Sequence, residues 1–145
     1  MSAVFEYFAA NDDATAAAAL ELPSLGALGT LEAKGIEPAV QLGTLEALLT
    51  GRTYDEVTED ARHAKLVAAT PECEAVVVTL SDGLTRALAA GEPEVFARVA
   101  EQWARTDEFD GEADTEGLTV LLEDFCALAR QALQCGRRLY CRCVV

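Results

Sequence analysis

Between Leu118 and Leu133 an apolar side chain returns every three or four positions: Leu118, Leu121, Leu122, Phe125, Leu128, Ala129, Ala132 and Leu133. That spacing gathers all of them on one side of an α-helix. The sequence predicts this helix from about Thr115 to Cys135, with Gly136 as its C-terminal stop. The chain then runs straight into Arg137-Arg138-Leu139-Tyr140-Cys141-Arg142-Cys143-Val144-Val145, which reads as an apolar strand. A long helix with one apolar stripe needs a broad apolar surface to lie on, and a strand at its end supplies the start of one.

Two further runs complete that surface. Ala3 to Phe8 (AVFEYF) is β-branched and aromatic, and Ala75 to Leu80 (AVVVTL) is the clearest strand in the chain. Helices are predicted between them. Asn11, Asp12 and Asp13 bring capping side chains and negative charge to the start of an Ala-rich helix from Ala14 to about Leu20. Leu22 to Gly35, with Pro23 and three glycines, reads as a loop, its LGALG a turn. Pro38 opens a helix that Gly51 closes. Its apolar face is read as Val40, Leu45, Leu48 and Leu49, with Leu42 near the edge.

Thr53-x-x-Glu56 matches a capping box for a short helix from Tyr54 to about Ala61. The stretch onward to Ala69 fits neither period clearly. Ser81 and Asp82 cap a helix from about Gly83 to Ala90, closed by Gly91. Pro93 opens another carrying Val95, Phe96, Val99 and Trp103. Strands at the start, middle and end with helices between imply an α+β fold, one domain over residues 1–145.

With 51% hydrophobic and 25% charged residues the composition is that of an ordinary globular domain. The net charge is −14, from 25 acids and 11 bases. Binding to nucleic acid or an anionic membrane needs clustered Lys and Arg, so neither is expected as a partner. The N-terminal MSAVFEYFAANDDA lacks the basic region of a signal peptide, and no apolar run is long enough to span a bilayer. Together with an odd count of five cysteines, this predicts a cytoplasmic protein with free thiols.

Four of those cysteines, Cys126, Cys135, Cys141 and Cys143, are the candidate metal ligands, since four thiolates can close a tetrahedral zinc site. Their spacing contains neither a zinc knuckle nor a C-x-x-C redox motif. On a strand, Leu139, Cys141, Cys143 and Val145 share one face, with Tyr140, Arg142 and Val144 on the other. Two thiols between Leu and Val read as packing residues.

The acidic connector Asp107 to Glu116 invites calcium. Setting Gly111 at the sixth position of an EF-hand loop puts Thr106, Glu108, Asp110 and Asp114 at positions one, three, five and nine. Gly117 then occupies position twelve, where a bidentate Glu is required. A solvated acidic loop pinned by Phe109 is the reading that remains. A nucleophile–His–acid arrangement at His63 needs a geometry that the sequence alone does not supply, so His63 reads as a surface histidine and Ser81 as a helix cap rather than a nucleophile elbow. No phosphate-binding glycine loop occurs, and no catalytic residue or cofactor is assigned. Arg137, Arg138 and Arg142 cluster near the C-terminus, where the first two complement the dipole of the long helix, a local role preferred here to an anion site.

The order of segments resembles the YfbM-like family of small bacterial proteins of uncharacterised function. The likeness is carried by Val4 to Leu20, the helix ending Leu48-Leu49-Thr50-Gly51, the strand-then-helix run Val76 to Ala90, and Leu118 to Leu133 leading through Gly136 into a closing strand. It implies a single α+β domain of bacterial, cytoplasmic origin and brings no activity with it.

The function expected from these features is a non-catalytic binding or accessory protein, of the kind immunity proteins exemplify, whose acidity suits a basic protein partner. The alternatives are a thiol or zinc protein using the C-terminal cysteines, and a small hydrolase of unrecognised type. Monomer and homodimer are both compatible, and Trp103 or Phe109 would be candidates for an interface if exposed.

Overall fold

A computed structural model of the chain describes residues 3–23, 25, 30–33, 35–106, 109 and 114–145. Five strands, β1 (Val4–Ala10), β2 (Leu31–Glu32), β3 (Leu66–Ala69), β4 (Ala75–Thr79) and β5 (Arg138–Val144), form one sheet in the order β2-β1-β5-β4-β3. Every neighbouring pair is antiparallel. The helices are α1 (Asp13–Ala18), α2 (Val40–Thr50), α3 (Tyr54–Thr58), α4 (Asp82–Ala90), α5 (Pro93–Ala104) and α6 (Thr115–Gln134). The domain is α+β, as the sequence predicts.

The closing strand is the central one. β5 pairs with β1 from Val4↔Val144 to Ala10↔Arg138, and with β4 from Ala75↔Val144 to Thr79↔Tyr140. Alternation along these strands divides two cores. Tyr7, Ala9, Val78, Leu139 and Cys141 face α2, α4, α5 and α6, where Leu122, Phe125, Trp103 and Leu88 complete the larger core. Phe8, Ala10, Val77 and Tyr140 face the other way, onto Ala16 of α1 and Ala19 of the 3-10 turn that follows it. The Phe8 and Tyr140 rings stack at 5.7 Å across the β1–β5 pair.

The helix ends follow their sequence signals. Asp12 accepts from the Thr15 N–H and caps α1. Thr53 and Glu56 form both halves of the capping box on α3. At the end of α6, Gly136 has φ +66. Its N–H donates to Leu133 O and the Arg137 N–H donates to Ala132 O, which together make a Schellman motif. Gly91 ends α4 for a different reason. Its φ is −68, in extended space, but a Cβ there would sit 2.3 Å from Cζ of the Phe96 ring.

Several sequence readings need correction. Leu31–Glu32 within the expected loop is a strand, paired among the described residues at Glu6↔Glu32 and Tyr7↔Leu31. Leu66–Ala69 is a strand as well, bulged against β4. In α2 the buried side chains are Gln41, Leu42, Leu45 and Glu46, whereas Val40 is exposed. Leu45, Leu48 and Leu49 of the expected face do meet the core, the last two only partly buried, so the helix is turned by a fraction of a turn toward Gln41, Leu42 and Glu46. Leu133 of α6 is also exposed. Trp103 is fully buried, donating its indole N–H to Gln41 O at 3.0 Å, so it belongs to no interface. Phe109 meets the Trp103 ring edge-on at 5.3 Å, and most of the rest of the acidic connector lies outside the described residues. The calcium alignment and the LGALG turn fall largely on residues outside those described.

Candidate functional site

The sheet brings two of the four candidate thiols together. Cys141 and Cys143 sit two apart on β5, on the face toward α6, with their Sγ atoms 3.7 Å apart. Cys141 is fully buried opposite Tyr7, and Cys143 is half-buried. Burial pushes the Cys141 thiol up, and its hydrogen bond to Cys143 lowers the latter, so Cys143 is the sulfur that loses its proton first. Cys126 is buried on α6 and Cys135 is exposed at the end of that helix, and neither joins the pair. Among the described residues no group of three or more His, Cys, Asp or Glu side chains is arranged to hold a metal ion. Two donors at this separation make a contact and leave a tetrahedral site half filled.

A second cluster was not legible in the sequence. Glu46, facing inward from α2, is 1% exposed. Its Oε1 accepts a hydrogen bond from Ser81 Oγ, and that same Oγ accepts from the Leu84 N–H at 3.1 Å as the N-cap of α4. The other oxygen, Oε2, has no hydrogen-bond partner among the described residues and lies 3.8 Å from Arg52 Nη1. The carboxylate is thus held at the start of α4, where the helix dipole favours negative charge. One turn earlier, Gly43 leaves room for two rings. A Cβ at Gly43 would be 2.9 Å from Tyr54 Cε2 and 3.0 Å from His63 Cε1. Ser81 and His63 thus both approach α2, but among the described residues no hydrogen bond links them. The hydroxyl is spent on Glu46 and the helix cap, so the cluster holds α2, α3 and α4 in register.

Beyond the other face of the sheet, Asp13 gathers a third network. Arg62 Nη1 and Nη2 reach its two oxygens at 3.2 and 3.0 Å, the Tyr140 hydroxyl donates to Oδ1 at 2.7 Å, and Lys65 Nζ lies 3.7 Å away. The Arg62 and Tyr140 hydrogen bonds hold the Asp13 carboxyl well below the usual carboxylate range. Burial, reinforced by Asp13, pushes the Tyr140 phenol up to about 12. Alongside, Arg142 is almost wholly buried. Its Nε and Nη2 donate to Glu6 Oε1 at 3.2 and 2.9 Å, and Nη1 donates to Ala19 O at 3.0 Å and Leu22 O at 2.6 Å. The expected C-terminal arginine cluster is therefore split, with Arg142 clamping the 3-10 turn on this face.

Arg137 and Arg138 lie elsewhere. They line a cleft of about 260 Å³ with Asp82, Thr85, Arg86, Leu133 and Gly136. Arg137 Nε reaches Asn11 Oδ1 at 3.3 Å, and Arg138 Nε lies 3.4 Å from Asp82 Oδ1.

Most cations in the protein are committed in this way. Arg105 pairs with Glu101 at 2.7 Å, Arg130 donates to Ala89 O and Gly91 O, and Arg52 donates to Glu56 O. The carboxylates are not matched. Asp55, Glu59, Glu92, Glu94, Glu116, Glu123 and Asp124 are exposed, and none has an ion pair among the described residues. Glu116, Glu123 and Asp124 lie with Val120, itself 56% exposed, on the outer side of α6. Among the described residues no helix is long and apolar enough to cross a membrane. No protein-family model matches the chain, and no curated protein or solved structure proved similar to it.

Proposed function

We propose that this protein is a non-catalytic binding or accessory module that engages a basic protein through its carboxylate-rich surface. The observation that carries this reading is the uneven commitment of charge. Arg52, Arg62, Lys65, Arg105, Arg130, Arg137, Arg138 and Arg142 are tied to partners within the fold, while Asp55, Glu59, Glu92, Glu94, Glu116, Glu123 and Asp124 are exposed with no ion pair among the described residues. A surface of this kind attracts a cationic partner over a Debye length and speeds encounter. The outer side of α6 is the best-suited patch, because Val120 offers apolar contact ringed by Glu116, Glu123 and Asp124.

Acidity that serves solubility alone is the rival explanation. The test is a stoichiometric complex with a basic protein recovered at low salt by native mass spectrometry. The complex should be lost at high salt and in the Glu123→Lys, Asp124→Lys double variant. A complex indifferent to both, or none at all from the native host, would sink the reading. The expected cytoplasmic setting and bacterial origin belong to the same proposal and rest on free thiols and the YfbM-like order of segments.

A further inference from the structure

We infer that the cleft between α4, the end of α6 and the start of β5 is a binding site for a dianionic phosphate group. The cleft is lined by Arg86, Arg137 and Arg138 against the single carboxylate of Asp82. Three arginines and one carboxylate among the lining residues sum to a formal local charge of about +2, on a molecule whose net charge is −14.

Ordinary structural roles account for part of this set only. Arg137 and Arg138 follow α6 directly, and positive charge there complements the helix dipole. Yet Arg137 rests on the uncharged amide of Asn11, and Arg138 makes a loose 3.4 Å pair with Asp82. Arg86 has neither role. It sits in the middle of α4, away from both helix ends, and four residues after Asp82, the spacing at which an intrahelical ion pair forms. Asp82 turns instead to Arg138. Arg86 is exposed and, among the described residues, has no hydrogen bond or ion pair, so its guanidinium is free beside the cleft.

The chemistry of the lining selects the ligand. A phosphate monoester or inorganic phosphate carries about −1.5 to −2 at pH 7 and offers three acceptor oxygens, matching both the charge and the planar donor forks of arginine. A monocarboxylate would leave one positive charge unanswered. At about 260 Å³ the cleft has room for more than the phosphate group, which needs the volume of roughly two or three waters at ~30 Å³ each. Leu133, 46% exposed, supplies an apolar wall for the remainder of a small ester. Asp82 acts as a gate on affinity, since its carboxylate competes with the ligand for Arg138.

The experiment is a titration of the intact, isotope-labelled protein at low salt and pH 7.5, followed by amide chemical shifts and calorimetry. The probes are inorganic phosphate, glycerol 3-phosphate and acetate. Saturable shifts are expected around residues 82–86 and 136–138, with acetate at least tenfold weaker than either phosphate. Arg86→Gln should weaken phosphate binding at least fivefold. Asp82→Asn should tighten it at least threefold, a gain that a damaged fold cannot mimic. Glycerol 3-phosphate binding more tightly than phosphate assigns the site to an ester, and equal binding assigns it to the free anion. Shifts that fail to saturate, binding unchanged in Arg86→Gln, or acetate equal to phosphate would each overturn the inference.

Discussion

Replacing Arg142 with methionine keeps the aliphatic stem in place and removes only the guanidinium, which isolates its contribution. In the native protein that group donates four hydrogen bonds from a side chain 8% exposed, two of them to Glu6. Glu6 retains 20% exposure and regains water in part, so the lost charge-assisted contacts are taken at about 2 kcal/mol, low in their range. Leu22 is exposed and its carbonyl rehydrates. Ala19 is 1% exposed and its carbonyl loses a donor, adding about 1–2 kcal/mol. The sum, about 3–4 kcal/mol, falls within the cost of breaking a buried ion pair. For a chain of this size it corresponds to a drop in Tm of roughly 8–15 °C. Urea unfolding of the wild type, Arg142→Met, Glu6→Gln and the double variant closes a thermodynamic cycle. The double variant should recover at least about 1 kcal/mol over Arg142→Met, because no uncompensated carboxylate is left against the sheet. An Arg142→Met loss below about 1 kcal/mol, or additivity of the two single changes, would refute the reasoning.

Three other outcomes follow from the geometry. Gly91→Ala should destabilise by about 1–3 kcal/mol, because its Cβ would lie 2.3 Å from the Phe96 ring, and adding Phe96→Leu should reduce that penalty. Tyr140, pushed up to about 12 by burial, stays protonated in the folded state while an unfolded tyrosine ionises near 10. Its contribution is therefore whole below pH 10 and is lost as pH rises toward 12, and Tyr140→Phe should flatten that part of the stability profile. Native protein under reducing conditions should react with a thiol reagent first at Cys73 and Cys135, then at Cys143, with Cys126 and Cys141 modified only at the rate of opening. Rapid labelling of Cys141 would contradict its placement in the sheet centre.

How much of this was readable in advance varies with how local the determinants are. α6 and β5 were readable to within a residue or two because an amphipathic stripe, a C-terminal glycine and a short apolar run each act within one segment. β2 was not, since two residues paired to Glu6 and Tyr7 leave no pattern. β3 is exposed at both ends, Leu66 and Ala69, and carries a bulge, so its Leu-Val-Ala-Ala lacks clean alternation. The rotation of α2 has a more instructive cause. Its phase is set by Glu46, whose carboxylate meets Ser81, while the Gln41 side chain turns back to accept from the Glu37 N–H and its backbone carbonyl receives the Trp103 indole. Polar residues with tertiary partners are invisible to a count of apolar positions. Glu46 looked like any of the other acids for this reason, although Leu42, Leu45 and Glu46 stand at helical spacing on what proves to be the buried side. The arginine cleft was half legible, since Arg137 and Arg138 are adjacent in sequence while Arg86 joins them only through the packing of α4 on α6.

The central position of β5 governs the order in which the domain can assemble. β1 and β4 are separated in the sheet by a strand that leaves the ribosome after both of them. Until β5 arrives, neither has its long partner, and the two-residue β2 and bulged β3 are poor substitutes. The pairing Val4↔Val144 closes a loop spanning almost the whole chain, which raises contact order and slows folding. Nascent protein should thus expose the edges of β1 and β4 until the last strand is made. During that interval, a chaperone that shields strand edges would matter more to yield than any single core contact.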